Sequence, residues 1–244
     1  MQNRIIIVLF FLSSSLNSYN QIIPLNTKEE FIKAGMRILE DTVKVRTDND
    51  YPFVIGRYHE PVADKYNNPY FNGNEWVSGT LVYRGRTYSA NDLKYDIQTD
   101  RLIYLMYNGY KMSTIALDVN LVSGFHIYNN TFRYFDSFDN SSGAGRKAGY
   151  YEVIYDGRLK FLVRWEKSKS LDVSSSSSFK YDVSDDMFLL KENKLERVKS
   201  MAGLIRLLKD RKKSMKKFVR SNHLRLNRSN YSSAAEVLKF YEDQ

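Results

Sequence analysis

Cysteine is absent from the 244-residue chain, and this absence removes several kinds of chemistry at once. Without cysteine the protein has no disulfides, no thiolate zinc site and no cysteine nucleophile. The lipid-modified cysteine of a bacterial lipoprotein is excluded for the same reason. The composition, 43% hydrophobic and 14% aromatic, still supplies enough apolar material for a core without covalent cross-links.

Long apolar runs are also scarce. Residues 5–12 form an unbroken apolar run of eight, far short of the roughly 20 residues that a membrane helix needs. Arg4 precedes this run and several serines follow it, so the pattern predicts a secretory signal peptide over residues 1–20. Cleavage before Tyr19 or before Gln21 fits equally well. We therefore predict an exported protein, either periplasmic, associated with the outer membrane or secreted, with no transmembrane span after signal removal.

Histidine is rare, and the motifs of common enzymes are missing. His59, His126 and His223 lie far apart, and none belongs to a His-Glu-x-x-His or His-x-His pattern. The chain has no Gly-x-Ser-x-Gly elbow, and the segment 143–147 departs from the phosphate-loop consensus and leads towards a strand. We therefore predict no metal site and no cofactor. A glycan hydrolase built on two carboxylates stays open, since any fold can bring two of them together.

The strongest positive signal is a period of two between residues 74 and 107. Apolar Leu93, Tyr95 and Ile97 alternate with polar neighbours, which predicts a strand with one buried and one solvated face. The segment 77–83, rich in β-branched and aromatic residues, is followed by Arg84-Gly85, so a hairpin is expected there. Asn108-Gly109 and Asp156-Gly157 predict two more tight turns.

The rest of the chain predicts further strands with short connections and then helices. Strands are expected at 111–117, 122–128, 131–136, 150–155, 158–165, 179–183 and 187–191, with loops at 139–149 and 166–178. The acidic residues Asp182, Asp185 and Asp186 could hold calcium, but they lack the EF-hand glycine and glutamate, so a turn between strands is the better interpretation.

Helical spacing of apolar residues occurs at both ends of the mature chain. A short helix is predicted after Asn26 or Thr27. After residue 200 the apolar residues again recur at helical spacing, and Asp210 is expected to divide this run into two helices. A last helix should begin near Asn230, with Ser233 and Glu236 at the spacing of a capping box.

These elements predict an α+β fold, a mainly antiparallel β meander forming a barrel or sandwich, with a short N-terminal helix and a C-terminal helical cap. The expected organisation is a signal peptide at 1–20, an N-terminal helix and irregular segment at 21–72, an antiparallel β domain at 73–191, and a basic helical region at 192–244 packed on the β domain.

Positive charge is concentrated near the C-terminus. Residues 191–228 contain 14 Lys and Arg against three Asp and Glu, a net +11, whereas the whole chain is +9. An acidic glycan, anionic lipid head groups or an envelope protein are the partners that such a region could contact. Nucleic acid is disfavoured by the export signal and by the single aromatic residue, Phe218, in the segment. The predicted contact residues are Arg206, Lys209, Arg211, Lys212, Lys213, Lys216, Lys217 and Arg220.

A spaced set of turn glycines and core aromatics runs through residues 73–102. It comprises Gly73, Trp76, Gly79, Tyr83, Gly85, Tyr88, Leu93-Lys94-Tyr95-Asp96, Asp100 and Leu102. This set resembles the pattern of secreted β-rich proteins of Bacteroidetes, in which a strand module with a Leu-Lys-Tyr-Asn/Asp core precedes further hairpins and a short helical tail. Leu238-Lys239-Phe240-Tyr241 matches that tail. The resemblance covers most of residues 70–244 and implies an envelope address, but it names no site residues.

We therefore expect a non-enzymatic exported protein that acts as a binding or scaffolding module in the periplasm or at the outer membrane. Its basic helical region would contact an anionic envelope component or a protein partner. Two alternatives stay open, a carboxylate-based glycan hydrolase and a carrier of small apolar ligands inside a β barrel.

Overall fold

The computed structural model describes residues 55–108, 111–138, 148–172, 179–227 and 230–243. The predicted signal peptide and N-terminal helix lie outside the described residues. So do the serine run at 174–178 and most of the predicted loop at 139–149.

Eleven strands form one antiparallel sheet. They are β1 Gly56–Tyr58, β2 Val77–Tyr83, β3 Arg86–Asp96, β4 Arg101–Asn108, β5 Lys111–Leu117, β6 Val122–Ile127, β7 Asn130–Phe135, β8 Gly149–Asp156, β9 Lys160–Leu171, β10 Phe179–Lys191 and β11 Lys194–Val198. Their order in the sheet is β1-β5-β4-β3-β2-β6-β7-β8-β9-β10-β11, and each neighbouring pair is antiparallel. The predicted antiparallel meander is therefore confirmed.

The sheet curls strongly but does not close into a barrel. The backbone N–H of Lys167 on β9 donates to the carbonyl of Ile97 at the end of β3 (3.3 Å), although four strands separate β3 from β9. The segment before β2 fills the opening between them. The Lys167 Nζ donates to the carbonyls of Asn68 (2.8 Å) and Tyr70 (2.6 Å), and the Asn67 side chain bonds to the β10 backbone. The sheet stays open because its two short edge strands, β1 and β11, do not pair with each other.

Aromatic side chains fill the inside of the curl. Tyr95, Phe125, Phe132 and Tyr150 are at most 3% exposed, and the ring centroids of Phe125 and Phe132 are 4.9 Å apart. Phe71, from the segment before β2, packs edge-on against Phe132 at 5.2 Å. The interior is thus a packed aromatic core, which stabilises the curl through ring contacts as well as through apolar burial.

The predicted wet face of β3 is wrong at two positions. Lys94 and Asp96 are buried, with only 6% and 2% exposure. The Lys94 Nζ donates to the Asn74 side-chain oxygen (2.6 Å) and lies 4.2 Å from the centre of the Trp76 ring. Asp96 accepts from the backbone N–H groups of Gln98 and Thr99 (2.9 and 3.0 Å). These local partners replace water, so both polar groups tolerate burial.

The predicted turns have different outcomes. Arg84 and Gly85 both have positive φ, 49° and 75°, as the expected hairpin turn requires, and this prediction is confirmed. The β4–β5 register pairs Asn108 with Lys111, so Asn108 belongs to the strand and not to the predicted turn, whereas Gly109 lies outside the described residues. The β8–β9 connection spans residues 157–159, since Asp156 pairs with Lys160. It is therefore a three-residue loop and not the predicted two-residue turn.

The acidic segment near residue 185 is part of a strand. β10 runs without interruption from Phe179 to Lys191, so the turn predicted at Asp182–Asp186 is wrong. Its partner β9 continues to Leu171, six residues beyond the predicted end of that strand. The polar residues of this long ribbon pair across the strands, as in the bond from Ser170 Oγ to Asp182 (2.9 Å), so the ribbon needs no apolar alternation.

Three helices follow β11. They are α1 Met201–Leu207, α2 Lys212–Ser221 and α3 Ser232–Glu242, with a single 3-10 turn at Lys209–Arg211 between the first two. The predicted interruption near Asp210 is confirmed. Leu204, Met215 and Val237 are fully buried in one cluster with residues of β8, β9 and β10, which places the helices on one face of the sheet.

The predicted capping box of the last helix is wrong. α3 has Tyr231 at its N-cap with no side-chain cap bond, and Ser233 is buried inside the helix. Tyr231 is held by its hydroxyl, which donates to Asp185 on β10 (2.7 Å). Within the part of the chain that the structure describes, no helix is long and apolar enough to cross a membrane.

Candidate functional site

A groove of about 600 Å³ lies between α1, α2 and the segment that follows α2. Four of the eight predicted contact residues line it, namely Arg206, Lys212, Lys216 and Arg220. Arg225 lines it as well and was not among the predicted residues. The only sequence signal for Arg225 was its place in the basic segment, because its position depends on how the chain turns after α2.

Helical spacing explains why three of these cations share one side. Lys212, Lys216 and Arg220 follow one another at intervals of four positions along α2. Residues at this spacing lie along the same face of a helix. α2 contains no acidic residue to balance them. Among the described residues, no carboxylate forms an ion pair with any of the five groove cations. Like charges at this spacing repel, so an anion bound in the groove would relieve an unfavourable interaction.

The chain reversal after α2 supplies the second wall. His223 has φ 52°, and the N–H of Leu224 donates to the Val219 carbonyl (3.0 Å), which closes the end of the helix. The chain then returns past the helix, and Leu224 and Leu226 line the groove. Both leucines also pack against the buried cluster beneath the helices, so the wall is anchored in the core.

The floor of the groove is apolar. Met201, Ile205, Val219 and the two leucines line the groove and are buried or half-buried, whereas its five cations are exposed. Ser200 at the entrance is occupied as the N-cap of α1, where its side chain accepts from Gly203 N–H (3.2 Å). An apolar floor with a basic rim suits a ligand that carries both an anionic group and an apolar part.

The other four predicted residues do not line the groove. Arg211 has a structural role, because its Nη1 donates to the Tyr241 carbonyl (2.8 Å) and its guanidinium lies 5.4 Å from the Tyr241 ring. Burial, reinforced by the neighbouring Asp210 carboxylate, raises the pKa of Tyr241, whose hydroxyl donates to Asp210 (2.9 Å). Lys209, Lys213 and Lys217 are exposed outside the groove.

A second, polar cleft contains two carboxylates, which is the arrangement that a glycan hydrolase would need. Asp100 and Glu166 line this cleft of about 470 Å³, and both contact the Arg164 guanidinium. Asp100 accepts hydrogen bonds from the Tyr95 hydroxyl (2.6 Å), the Tyr150 N–H (3.2 Å) and Arg164 (2.9 Å). Burial, together with the negative charge of Asp100, raises the pKa of Tyr95 far above its usual range, so this hydroxyl keeps its proton and donates. Asp100 is thus a structural acceptor.

The histidines and the acidic strand do not converge. The His59 Nε2 is 3.0 Å from the Tyr70 hydroxyl, and the His126 Nδ1 is 3.0 Å from Thr131 Oγ1. Among the residues that the structure describes, no group of three or more His, Asp or Glu side chains could hold a metal ion.

Comparison with models of protein families, with curated proteins and with solved structures gives no match for this chain. The candidate site therefore stands on its own geometry.

Proposed function

We propose that the protein is a non-enzymatic binding module of the cell envelope that holds an anionic lipid in the groove between α1 and α2. The observation that carries this proposal is the combination of five cations, unpaired among the described residues, with an apolar floor. Among the anionic partners considered, a lipid uses both features, since its head group meets the rim and an acyl chain meets the floor. An acidic glycan would use the rim alone.

The expected affinity of the groove for an anionic membrane surface is moderate. A Lys or Arg close to an anionic membrane surface contributes about 1 kcal/mol, so five of them give roughly 5 kcal/mol, equivalent to a dissociation constant of about 0.2 mM. Contact of an acyl chain with the floor adds about 0.8 kcal/mol for each buried methylene group. Together these contributions support reversible binding at a membrane surface.

The proposed location follows from the N-terminal sequence. An exported, periplasmic or outer-membrane-associated protein would meet anionic lipids at a membrane face. The signal-peptide pattern of residues 1–20 and the resemblance to secreted β-rich proteins support this location. Fractionation of the source cell would test the location separately from binding.

Vesicle binding tests the proposed function directly. The full chain would be sedimented with vesicles of phosphatidylglycerol and phosphatidylcholine, with pure phosphatidylcholine vesicles as the control. Binding should need the anionic lipid and should weaken as salt rises from about 0.1 M to 1 M, because the Debye length falls from about 10 Å to 3 Å. Binding to soluble polygalacturonate would be measured in parallel to test the alternative of an acidic glycan. If the protein prefers this glycan to the vesicles, or binds neither, the lipid proposal is wrong.

A further inference from the structure

The polar cleft beside Asp100 is built from the β3–β4 turn and the middle of β9. Its rim carries the Gln98 amide, the Arg101 guanidinium, the Glu166 carboxylate and the hydroxyls of Thr99, Ser168 and Ser184, and Tyr134 lines it as its single aromatic residue. At about 470 Å³ it is as large as typical small-ligand sites, but its lining is polar. It therefore differs in chemistry from the groove between the helices.

The turn that forms one wall is held rigidly. The Asp96 carboxylate accepts from the N–H groups of Gln98 and Thr99 (2.9 and 3.0 Å), and the Ile97 backbone is bonded to Pro69 and to Lys167. Such fixed polar groups lose little conformational entropy when a ligand binds. The wall is therefore preorganised.

Asp100 closes this turn in an unusual backbone conformation. Its φ is 58°, in the left-handed region, which aspartate adopts more readily than most residues other than glycine. The bonds from Tyr95, Tyr150 and Arg164 to its carboxylate hold it there.

Arg164 lines the cleft and has one N–H donor that forms no hydrogen bond with a described residue. It is 9% exposed, and its Nη1 is used by Asp100 and by the Tyr150 carbonyl (2.7 Å). Its Nε has no hydrogen-bond partner among the described residues, and the nearest acceptor, Glu166 Oε1, is 3.5 Å away. A buried N–H without a partner is costly, so a ligand that draws Glu166 closer would be favoured.

The charged residues lining the cleft are Arg101, Arg164 and Lys167 against Asp100 and Glu166, a net +1, which indicates a ligand rich in hydroxyl groups that is neutral or carries an acidic group. The Arg164 charge is compensated by Asp100 and Glu166, and the Lys167 Nζ is held by two backbone carbonyls. What remains on the rim is a mixture of donors and acceptors. Hydroxyl groups both donate and accept, so a polyol can satisfy such a rim where a simple anion cannot.

Tyr134 offers a ring surface against which a sugar ring can pack, and its contact with Tyr150, at 5.2 Å between ring centroids, fixes its orientation.

We propose that this cleft binds a saccharide of about one or two rings, with the Glu166 carboxylate accepting from its hydroxyls, the Gln98 amide donating to or accepting from them, and Tyr134 packing against a ring face. Glu166 and Gln98 are both exposed at the rim, so a ligand can reach them without a change in the fold. The proposal is independent of lipid binding in the helical groove, and either can fail without the other.

Titration of the full chain with a saccharide panel tests the inference. Cellobiose, maltose, N,N′-diacetylchitobiose and digalacturonate would be screened by saturation-transfer NMR, and any ligand found would be measured by calorimetry. We expect at least one saccharide to bind. Glu166→Ala should weaken it about tenfold or more, as expected for loss of a hydrogen bond to a charged group, and Gln98→Ala should weaken it about threefold. Digalacturonate as the best ligand would identify an acidic saccharide and support the inference.

Glu196→Ala is the matched control, since Glu196 is an exposed glutamate on β11 outside the cleft lining. It should bind as the wild type does. Binding of none of the panel, or binding that survives both cleft substitutions, would overturn the inference. So would displacement of the bound saccharide by acetate or phosphate at equal concentration, because the site would then recognise a simple anion.

Discussion

At the scale of single residues, Asp100 links strands that lie far apart in the sheet. Its carboxylate joins the end of β3, through Tyr95, to β8 and β9, through Tyr150 and Arg164. Its side chain and that of Arg164 are only 19% and 10% exposed. Loss of the carboxylate would leave a buried guanidinium without its main counter-charge, which is far costlier than loss of a surface ion pair.

We predict that Asp100→Ala lowers the free energy of unfolding by about 3 kcal/mol. Urea unfolding of the full chain, followed by circular dichroism, would measure the change. Asp136→Ala, which alters an exposed aspartate just beyond β7, should leave the unfolding curve close to that of the wild type. Equal stability of the two variants would show that the Asp100 contacts contribute nothing beyond an ordinary surface charge.

His59 makes stability depend on pH. Burial lowers the pKa of His59 from its usual 6.5, an effect only partly opposed by the negative charge of Asp96. The unfolded chain therefore binds a proton at higher pH than the folded protein does. Stability should consequently fall as the pH decreases from about 6.5 towards the depressed pKa of the folded state, and this loss should level off below it.

The test compares the wild type with His59→Gln in urea at about pH 7.5 and pH 5.5, a range in which an unperturbed histidine titrates. Glutamine keeps a polar group near the Tyr70 hydroxyl but does not titrate. The variant should lose less stability between the two pH values than the wild type loses. An identical loss in both proteins would mean that other groups determine the pH dependence.

At this scale the sequence predicts core residues well where the apolar pattern is clear. Leu93, Tyr95 and Ile97 are buried, as their alternation indicated. The burial of Lys94 could not be predicted, since its partners Asn74 and Trp76 lie about 20 positions earlier and only the fold brings them together.

At the scale of elements, Glu242 fixes the last helix to the β8–β9 loop. Its carboxylate accepts from the Tyr155 hydroxyl (3.0 Å) and from the N–H groups of Arg158 (3.2 Å) and Leu159 (2.7 Å). A side chain at Gly157 would collide with this carboxylate, so glycine is needed here for close approach and not for a positive φ. The loop has three residues instead of the two that the sequence indicates, and the Glu242 carboxylate binds two of its backbone N–H groups.

We predict that Glu242→Ala destabilises the protein by about 1–3 kcal/mol, because two backbone donors and one hydroxyl lose a charged acceptor. Amides of α3 should exchange with solvent faster than in the wild type, whereas those of β3 and β4 should be less affected. Asp243→Ala, which removes the neighbouring exposed carboxylate, is the control and should leave α3 protected. Unchanged exchange in α3 of the Glu242 variant would contradict this role.

Element boundaries were predictable only where a local chemical signal sets them. The turn at Arg84-Gly85 and the interruption at Asp210 follow from local sequence. The acidic run in β10 resembles a turn in sequence, but pairing along the whole of β9 keeps it extended. Tertiary context overrides weak strand propensity in this way, since cross-strand pairs rather than isolated residues stabilise a sheet.

At the scale of the whole molecule, the sequence predicted the order of elements but not the closure of the sheet. Strand twist favours curling, and the curl is present. The free edges of the sheet are β1 and β11, which do not pair, whereas the segment 67–71 lies where the curl brings β3 near β9 and bonds to β3, β9 and β10. That segment carries no strand pattern, which is why its role could not be predicted.

Charge is also arranged at this scale. The basic segment 191–228, with a net +11 against a chain total of +9, runs from the end of β10 through β11 and on through α1 and α2. The sequence identified this region, yet it could not divide the cations into those that line a groove and those that do not. Helix packing decides which cations line the groove. Lys216 lines it, whereas Arg211 donates to the Tyr241 carbonyl.

We propose that the groove, and not the total charge, binds the anionic lipid. The most direct measurement compares two double variants in the vesicle assay, Lys216→Glu with Arg220→Glu inside the groove, and Lys213→Glu with Lys217→Glu on α2 outside it. Both change the net charge equally, and each alters two residues four positions apart on the same helix. Circular dichroism would verify that both fold.

We predict that the groove variant loses about tenfold or more affinity for anionic vesicles relative to the outside variant. Charge reversal in the groove places anions against the bound head group, whereas reversal outside it weakens only the long-range attraction. Equal losses in the two variants would contradict the account, because binding would then depend on net charge and the groove would have no specific part in it.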